Sequence, residues 1–246
     1  NSDANRATRS LQIYDPATDS WTAGPSSLVA RGGSATAVIG GKLYITGGNA
    51  DFYSGDIATL EIYDPNTSAC STGTPIHVTS EEAAGATING KFYVVGGAVR
   101  PPGGGASPAT ANVFIYNPAT AIWTAGAPLP SPRIGAAGGV INGKLYITGG
   151  SSYGTNNPTV VYDPILNSWS AAAAEPTPRS LAIAAVVNDK LFVAGGYPND
   201  GGPGTSTAEA FTPVPVLTNI VVTPTNPTIG IGTNQQFTAT GSFNDG

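Results

Sequence analysis

Few residues in this chain have side chains suited to catalysis, so each can be weighed singly. The 246 residues include one histidine and one cysteine. His77 stands near Glu81 and Glu82, and a histidine with two carboxylates can move protons. No second histidine, serine-nucleophile motif or matched carboxylate pair accompanies them, so the stretch reads as a surface loop. One histidine and one cysteine also exclude most metal centres built from those residues, and any disulfide within the chain. Asn49, Asp51, Ser54 and Asp56 form an oxygen-rich loop of the kind calcium prefers. Their spacing matches no EF-hand and no glutamate closes it, so it reads as a solvated loop. Pro198-Asn199-Asp200-Gly201-Gly202 reads as a turn. Gly103-Gly104-Gly105 lacks the strand-to-helix setting of a phosphate cradle. Asn66-Thr67-Ser68 satisfies a glycosylation sequon but overlaps a turn. The sequence thus predicts no catalytic residue, no metal site and no cofactor.

Two sets remain as candidate ligand contacts. Arg31, Arg133 and Arg179 each lie eleven residues before a lysine, and Ser80 takes that place once. An arginine so placed can brace loop carbonyls and carboxylates, or offer donors to an anionic or hydroxylated ligand. The second set is aromatic: Phe52, Tyr53, Tyr153 and Tyr197, in segments rich in turn residues. Exposed rings give flat apolar faces to sugar C–H groups or anchors to a protein, and they can equally pack over loop bases.

The elements that position these residues follow from composition and repetition. Gly (33) and Pro (21) are abundant while charged residues are only 10% of the chain. With 40% hydrophobic residues the chain is too apolar for disorder, so the glycines and prolines imply many tight turns. Net charge is −5, which disfavours nucleic acid as a partner. No apolar run approaches a membrane span.

Self-similarity decides the architecture. Gly41-Lys42-Leu43-Tyr44-Ile45-Thr46-Gly47-Gly48 recurs with its lysine at Lys91, Lys144 and Lys190, and these are the only lysines. Tyr14-Asp15-Pro16, Tyr63-Asp64-Pro65, Tyr116-Asn117-Pro118 and Tyr162-Asp163-Pro164 keep the same step. Each tyrosine precedes Trp21, Cys70, Trp123 or Trp169 by seven. Cys70 therefore occupies a tryptophan position and reads as a small buried hydrophobe, not a nucleophile. Each repeat parses into four strands. Strand one is apolar and small, and it ends in a pair such as Gly40-Gly41 or Asn89-Gly90, suited to a type I′ hairpin. Strand two ends in the double glycine. A variable loop follows, then strand three up to Tyr-Asp-Pro, then strand four with the tryptophan.

The double glycine, Tyr-Asp-Pro and Trp markers, in order and in phase over about residues 1–213, resemble kelch repeats. That resemblance implies an all-β fold, a β-propeller of four-stranded antiparallel blades with strand one lining the central channel. Three complete and two partial blades are expected, and all three tryptophans should be buried at equivalent places. Residues 1–211 are assigned to the propeller, truncated at its N-terminus, and 212–216 to a linker. Residues 217–246 resemble the start of a bacterial Ig-like (group 2) domain. Ring closure is left open among further upstream blades, a blade completed by both terminal segments, and completion by a neighbouring molecule. Copper radical oxidases with this propeller need two histidines and a Tyr–Cys pair, so His77 alone cannot carry that activity, and sialidase-type Asp boxes are absent.

Because strand directions alternate, loops after strands two and four share one face with the arginines. The expected function is a non-catalytic recognition or scaffold module of a secreted or cell-surface protein. It would bind a protein or glycan through the long-loop face with Phe52, Tyr53, Tyr153, Tyr197, Arg31, Arg133 and Arg179. The alternatives are a binding appendage or fragment of a carbohydrate-active enzyme, or a structural subunit of an extracellular assembly that self-associates through unpaired terminal strands.

Overall fold

The computed structural model describes residues 7–50, 55–101, 107–152, 155–198, 202–214, 217–228 and 230–243. Among them every regular element is a strand and none is a helix. The first pair is β1 (Gln12–Asp15) and β2 (Ser20–Ala23). Three four-stranded antiparallel sheets follow. The first holds β3 (Ala35–Ile39), β4 (Lys42–Thr46), β5 (Leu60–Asp64) and β6 (Ala69–Gly73). The second holds β7 (Ala84–Ile88), β8 (Lys91–Val95), β9 (Val113–Asn117) and β10 (Ile122–Ala125). The third begins with β11 (Ala137–Ile141) and β12 (Lys144–Thr148). A two-residue ladder, β13 (Ser151–Ser152) with β14 (Thr155–Asn156), interrupts its loop before β15 (Val160–Asp163) and β16 (Ser168–Ala171).

In the last blade β17 (Arg179–Ser180) pairs with β20 (Tyr197–Pro198). Its main sheet has three strands, β18 (Ile183–Val187), β19 (Lys190–Ala194) and β21 (Ala208–Phe211). Four blades thus present an inner strand, and β1–β2 form an outer half-blade before them, as the repeat phase requires. Further along, β22 (Leu217–Thr223) and β23 (Thr238–Phe243) make an antiparallel pair.

The local causes are those of the sequence. Both residues of each strand-one turn have positive φ: Gly40 and Gly41, Asn89 and Gly90, Asn142 and Gly143, Asn188 and Asp189. That is the type I′ geometry whose twist matches the flanking strands. In the Tyr-Asp-Pro turns the aspartate side chain folds back on the backbone. Asp64 Oδ1 accepts from the Asn66 N–H at 2.9 Å, and Asp163 Oδ1 from Ile165 at 2.9 Å. The repeat lysine then reaches the same aspartate, at 2.9 Å for Lys42–Asp64 and 3.1 Å for Lys144–Asp163.

Apolar residues cluster between successive blades. Tyr44 and Leu60 of one blade join Phe92, Tyr116 and Trp123 of the next. Tyr93 then meets Leu145 and Tyr162, and Tyr146 meets Leu191 and Phe211. Strand one must be small because the blades converge there. A Cβ on Gly85 would strike the Thr36 backbone, and one on Gly139 would strike Val186 and Leu191.

Backbone bonds tie blade to blade near the channel. The second glycine of the first three pairs donates to the next blade: Gly48 to Ser80 O, Gly97 to Arg133 O and Gly150 to Arg179 O, each at 2.8 Å. A second series runs from Glu82 N to Gly33 O, Gly135 N to Glu82 O and Leu181 N to Gly135 O, at 2.7–2.9 Å. These close approaches explain the double glycine, since a Cβ on Gly47 or Gly97 would collide with Ser80.

Burial of all three tryptophans is corrected by the structure. Trp123 is 6% exposed, Trp169 is half-buried and Trp21 is 67% exposed. Each buried indole leans on the blade before its own. Trp123 Nε1 donates to Thr74 O and Trp169 Nε1 to Ala127 O, both at 2.8 Å. No described strand lies on that side of β2, so Trp21 has nothing to lean on.

Candidate functional site

The strand-two-to-three loops leave one end of the blades and the I′ turns leave the other. The feet of loops 48–58, 96–112, 149–159 and 195–207 therefore gather on a single face. The arginines lie beneath them, and their geometry explains their spacing. Arg31 Nη1 donates to Gly47 O and Thr59 O, both at 3.1 Å, so it joins the two feet of its loop. Arg133 Nη1 joins Gly149 O at 3.3 Å to Pro158 O at 3.0 Å. Arg179 Nη1 joins Gly195 O at 3.3 Å to Thr207 O at 2.8 Å. Where Ser80 replaces arginine, its hydroxyl reaches Gly96 O at 3.0 Å, and Thr110 Oγ1 reaches the same carbonyl at 3.2 Å. All three guanidinium groups are withdrawn from the surface. They brace loop feet, the first of the two roles open to them from sequence.

Their counter-charges were not evident from sequence. Glu61 is fully buried, with Arg31 at 3.7 Å, and also accepts from the Leu28 N–H and the Ser27 hydroxyl. Arg179 is held between Glu175 at 2.7 Å and Glu209 at 2.6 Å. Glu61 and Glu209 both stand two residues before the tyrosine position of strand three, at Tyr63 and Phe211. A charged residue inside an otherwise apolar strand was the available signal. In the third complete blade Val160 holds that place, and no carboxylate pairs with Arg133 among the described residues. Burial pushes the Arg133 guanidinium down to about 10, still charged at neutral pH.

A second polar cluster lies under the loops of the first two complete blades. Glu81, buried, pairs with Arg100 at 2.8 Å and accepts from the Asn49 side chain. The Arg100 N–H donates to Asp56 at 2.6 Å. Burial raises the Asp56 carboxyl, and burial with the nearby Glu81 charge raises Glu82. Asn49 and Asp56 are therefore engaged with Glu81 and Arg100. Asp51 and Ser54 lie outside the described residues, as do Asn199, Asp200 and Gly201 of the later turn. His77 is exposed while Glu81 is committed to Arg100, so the three do not form an acid–base group. Cys70 is half-buried, and burial together with Glu61 raises its thiol, which makes it a poor nucleophile at neutral pH.

Of the aromatic candidates, Tyr197 is 55% exposed, on β20 opposite Ser180. Phe52, Tyr53 and Tyr153 lie outside the described residues.

Comparison with known proteins agrees with the blade geometry. The kelch motif matches residues 30–75 and 82–130. The solved structure of YjhT superposes with a TM-score of 0.70 at 19% sequence identity, covering 86% of this chain and 75% of that one. At that identity the likeness concerns the fold alone. No curated protein matches the sequence.

Proposed function

We propose that this chain is a non-catalytic recognition or scaffold module of a secreted or cell-surface protein, binding a protein or a glycan through its long-loop face. The carrying observation is the arginine brace. Each of Arg31, Arg133 and Arg179 uses its charge on carbonyls at both feet of a loop, so loop tips vary in sequence and length above fixed bases. Variable loops on a rigid frame are where binding surfaces usually arise. The I′ turns of the opposite face leave little material for a site. The inward arginines narrow the contact set to the tips, with Phe52, Tyr53, Tyr153 and Tyr197 as the anchors. Residues 217–246, as the opening of an Ig-like domain, suit the same extracellular setting.

The test is binding to a glycan array and pull-down from extracellular fractions, with wild type compared to the Tyr53→Ala, Tyr153→Ala, Tyr197→Ala triple variant. A partner lost or strongly weakened in the folded variant supports the face. Full affinity in that variant refutes it.

A further inference from the structure

Two small residues stand together where the later blades carry large ones. Six residues past each tryptophan position, and four before each arginine position, lie Ser27, Ile76, Leu129 and Glu175. Ile76 packs with Leu60 and Trp123 between the first and second complete blades. Leu129 packs with Val113 and Trp169 between the second and third. The half-blade β1–β2 meets the first complete blade through Ser27 and Cys70 instead. A cavity of about 180 Å³ lies there, walled by Ser10 and Leu11 on one side and by Ile45, Tyr63 and Cys70 on the other. Its space comes from residues inside the chain: Cys70 has no indole, and Ser27 has no branched aliphatic side chain.

The polar end of the cavity is a buried guanidinium. The Arg31 side chain is 5% exposed and lines the cavity together with the fully buried Glu61. Arg31 Nη1 is spent on the loop feet, but Nε and Nη2 have no hydrogen-bond partner among the described residues. Glu61 stays 3.7 Å from Nη2. Unused donors on a buried charge are costly. The last blade shows the same guanidinium with both groups engaged. Arg179 Nη2 meets Glu209 at 2.6 Å and Nε meets Glu175 at 2.7 Å. Glu209 corresponds to Glu61, and Glu175 corresponds to Ser27, whose hydroxyl turns to Glu61 at 2.8 Å. At Arg133 the Nε also has no partner, but there Leu129 and Trp169 occupy the two positions. Only at Arg31 do unused guanidinium donors and an adjoining cavity coincide among the described arginines of this series.

We propose that this cavity binds a short-chain monocarboxylate. Its carboxylate takes Arg31 Nε and Nη2, as Glu175 and Glu209 take those of Arg179, and its aliphatic tail lies against Leu11, Tyr63 and Cys70. Nε and Nη2 share one edge of the guanidinium and match the two oxygens of a carboxylate. The charge balance is the one the last blade already holds, one guanidinium with two carboxylates. A cavity of about 150 Å³ takes benzene, so the volume here suits a molecule of roughly six non-hydrogen atoms, such as butyrate, and excludes octanoate. The site lies between blades rather than on the loop tips, and it does not rest on the function proposed above.

Titration calorimetry of the full chain with acetate, propionate, butyrate and octanoate tests this, with butyramide as the uncharged match for butyrate. The expected result is saturable butyrate binding at a single site, with butyramide at least about tenfold weaker because the charge-assisted bonds are lost. Ser27→Glu places the protein's own carboxylate where Glu175 sits, and Cys70→Trp restores the indole. Each should abolish butyrate binding while melting at or above wild type. Wild type that shows no saturable binding of any of the four acids overturns the proposal. So does butyramide that binds as tightly as butyrate, an outcome read on wild type alone and independent of how the variants fold. Butyrate that binds the folded Ser27→Glu and Cys70→Trp variants as it binds wild type places the site elsewhere and refutes the assignment.

Discussion

Replacing the tryptophans one at a time separates packing from mere repeat position, because the three equivalent residues have three different surroundings. Trp123→Ala removes a ring that is 6% exposed, stacked on Tyr116 at 5.0 Å and near Phe92 at 6.1 Å. It also removes the indole bond to Thr74 O at 2.8 Å. Burial loss plus cavity costs about 3–5 kcal/mol for such a change, and the bond and ring pairing place it toward the upper half of that range. Trp169 keeps the same stacking, 5.0 Å to Tyr162, but is half-buried, so Trp169→Ala should cost roughly 2 kcal/mol, in proportion to the apolar area it covers. Trp21→Ala should stay within about 0.5 kcal/mol, as for an ordinary surface change. For a chain of this length each kcal/mol moves the melting temperature by about 2–4 °C, so Trp123→Ala should melt roughly 10 °C or more below wild type. Thermal and urea unfolding reads all three variants. Equal losses at Trp21 and Trp123, or an unchanged melting temperature for Trp123→Ala, would refute the reasoning that the indoles act by leaning on the preceding blade.

Three further outcomes follow from the same geometry. Cys70 leaves a cavity of about 180 Å³ between Leu11, Tyr63 and its own thiol where other blades hold an indole, so Cys70→Trp should raise stability by about 1 kcal/mol through cavity filling, read as a higher urea midpoint. Glu61→Ala strands a buried Arg31 charge and the Leu28 N–H, and should cost about 3–5 kcal/mol; a loss below 1 kcal/mol in chemical unfolding would show that Arg31 finds another partner. Lys42 and the Asn66 N–H hold the Asp64 carboxyl below its ordinary value of 3.8, and Lys144 with the Leu166 N–H does the same for Asp163. The ionised forms are favoured in the fold, so their contribution is complete above that pH and disappears as pH falls through the lowered values. Acid titration of the fold should therefore show the Lys42→Ala, Lys144→Ala variant unfolding at higher pH than wild type, with the gap shrinking at high salt, and no gap at low salt would contradict the assignment.

The blade plan was legible in the sequence because it rests on local chemistry repeated in phase. Asn89-Gly90 and its equivalents demand positive φ, Asp64 folds onto its own turn, and the double glycines leave room for the next blade's backbone. Each of these is decided within a few residues or at one fixed spacing, so a single chain displays it four times. The role of Arg31, Arg133 and Arg179 was only half legible. Their spacing marked them, but whether a guanidinium faces a ligand or a loop foot depends on which carbonyls converge from residues up to 28 positions away. The tertiary structure alone sets Glu61 and Glu209 against two of these arginines and leaves Arg133 with Val160 and, among the described residues, no carboxylate. It also separates the three tryptophans, which are identical in repeat position. Burial belongs to the neighbour that a side chain meets and not to the residue itself, so Trp123 and Trp21 share a motif and differ in everything the surrounding blades supply.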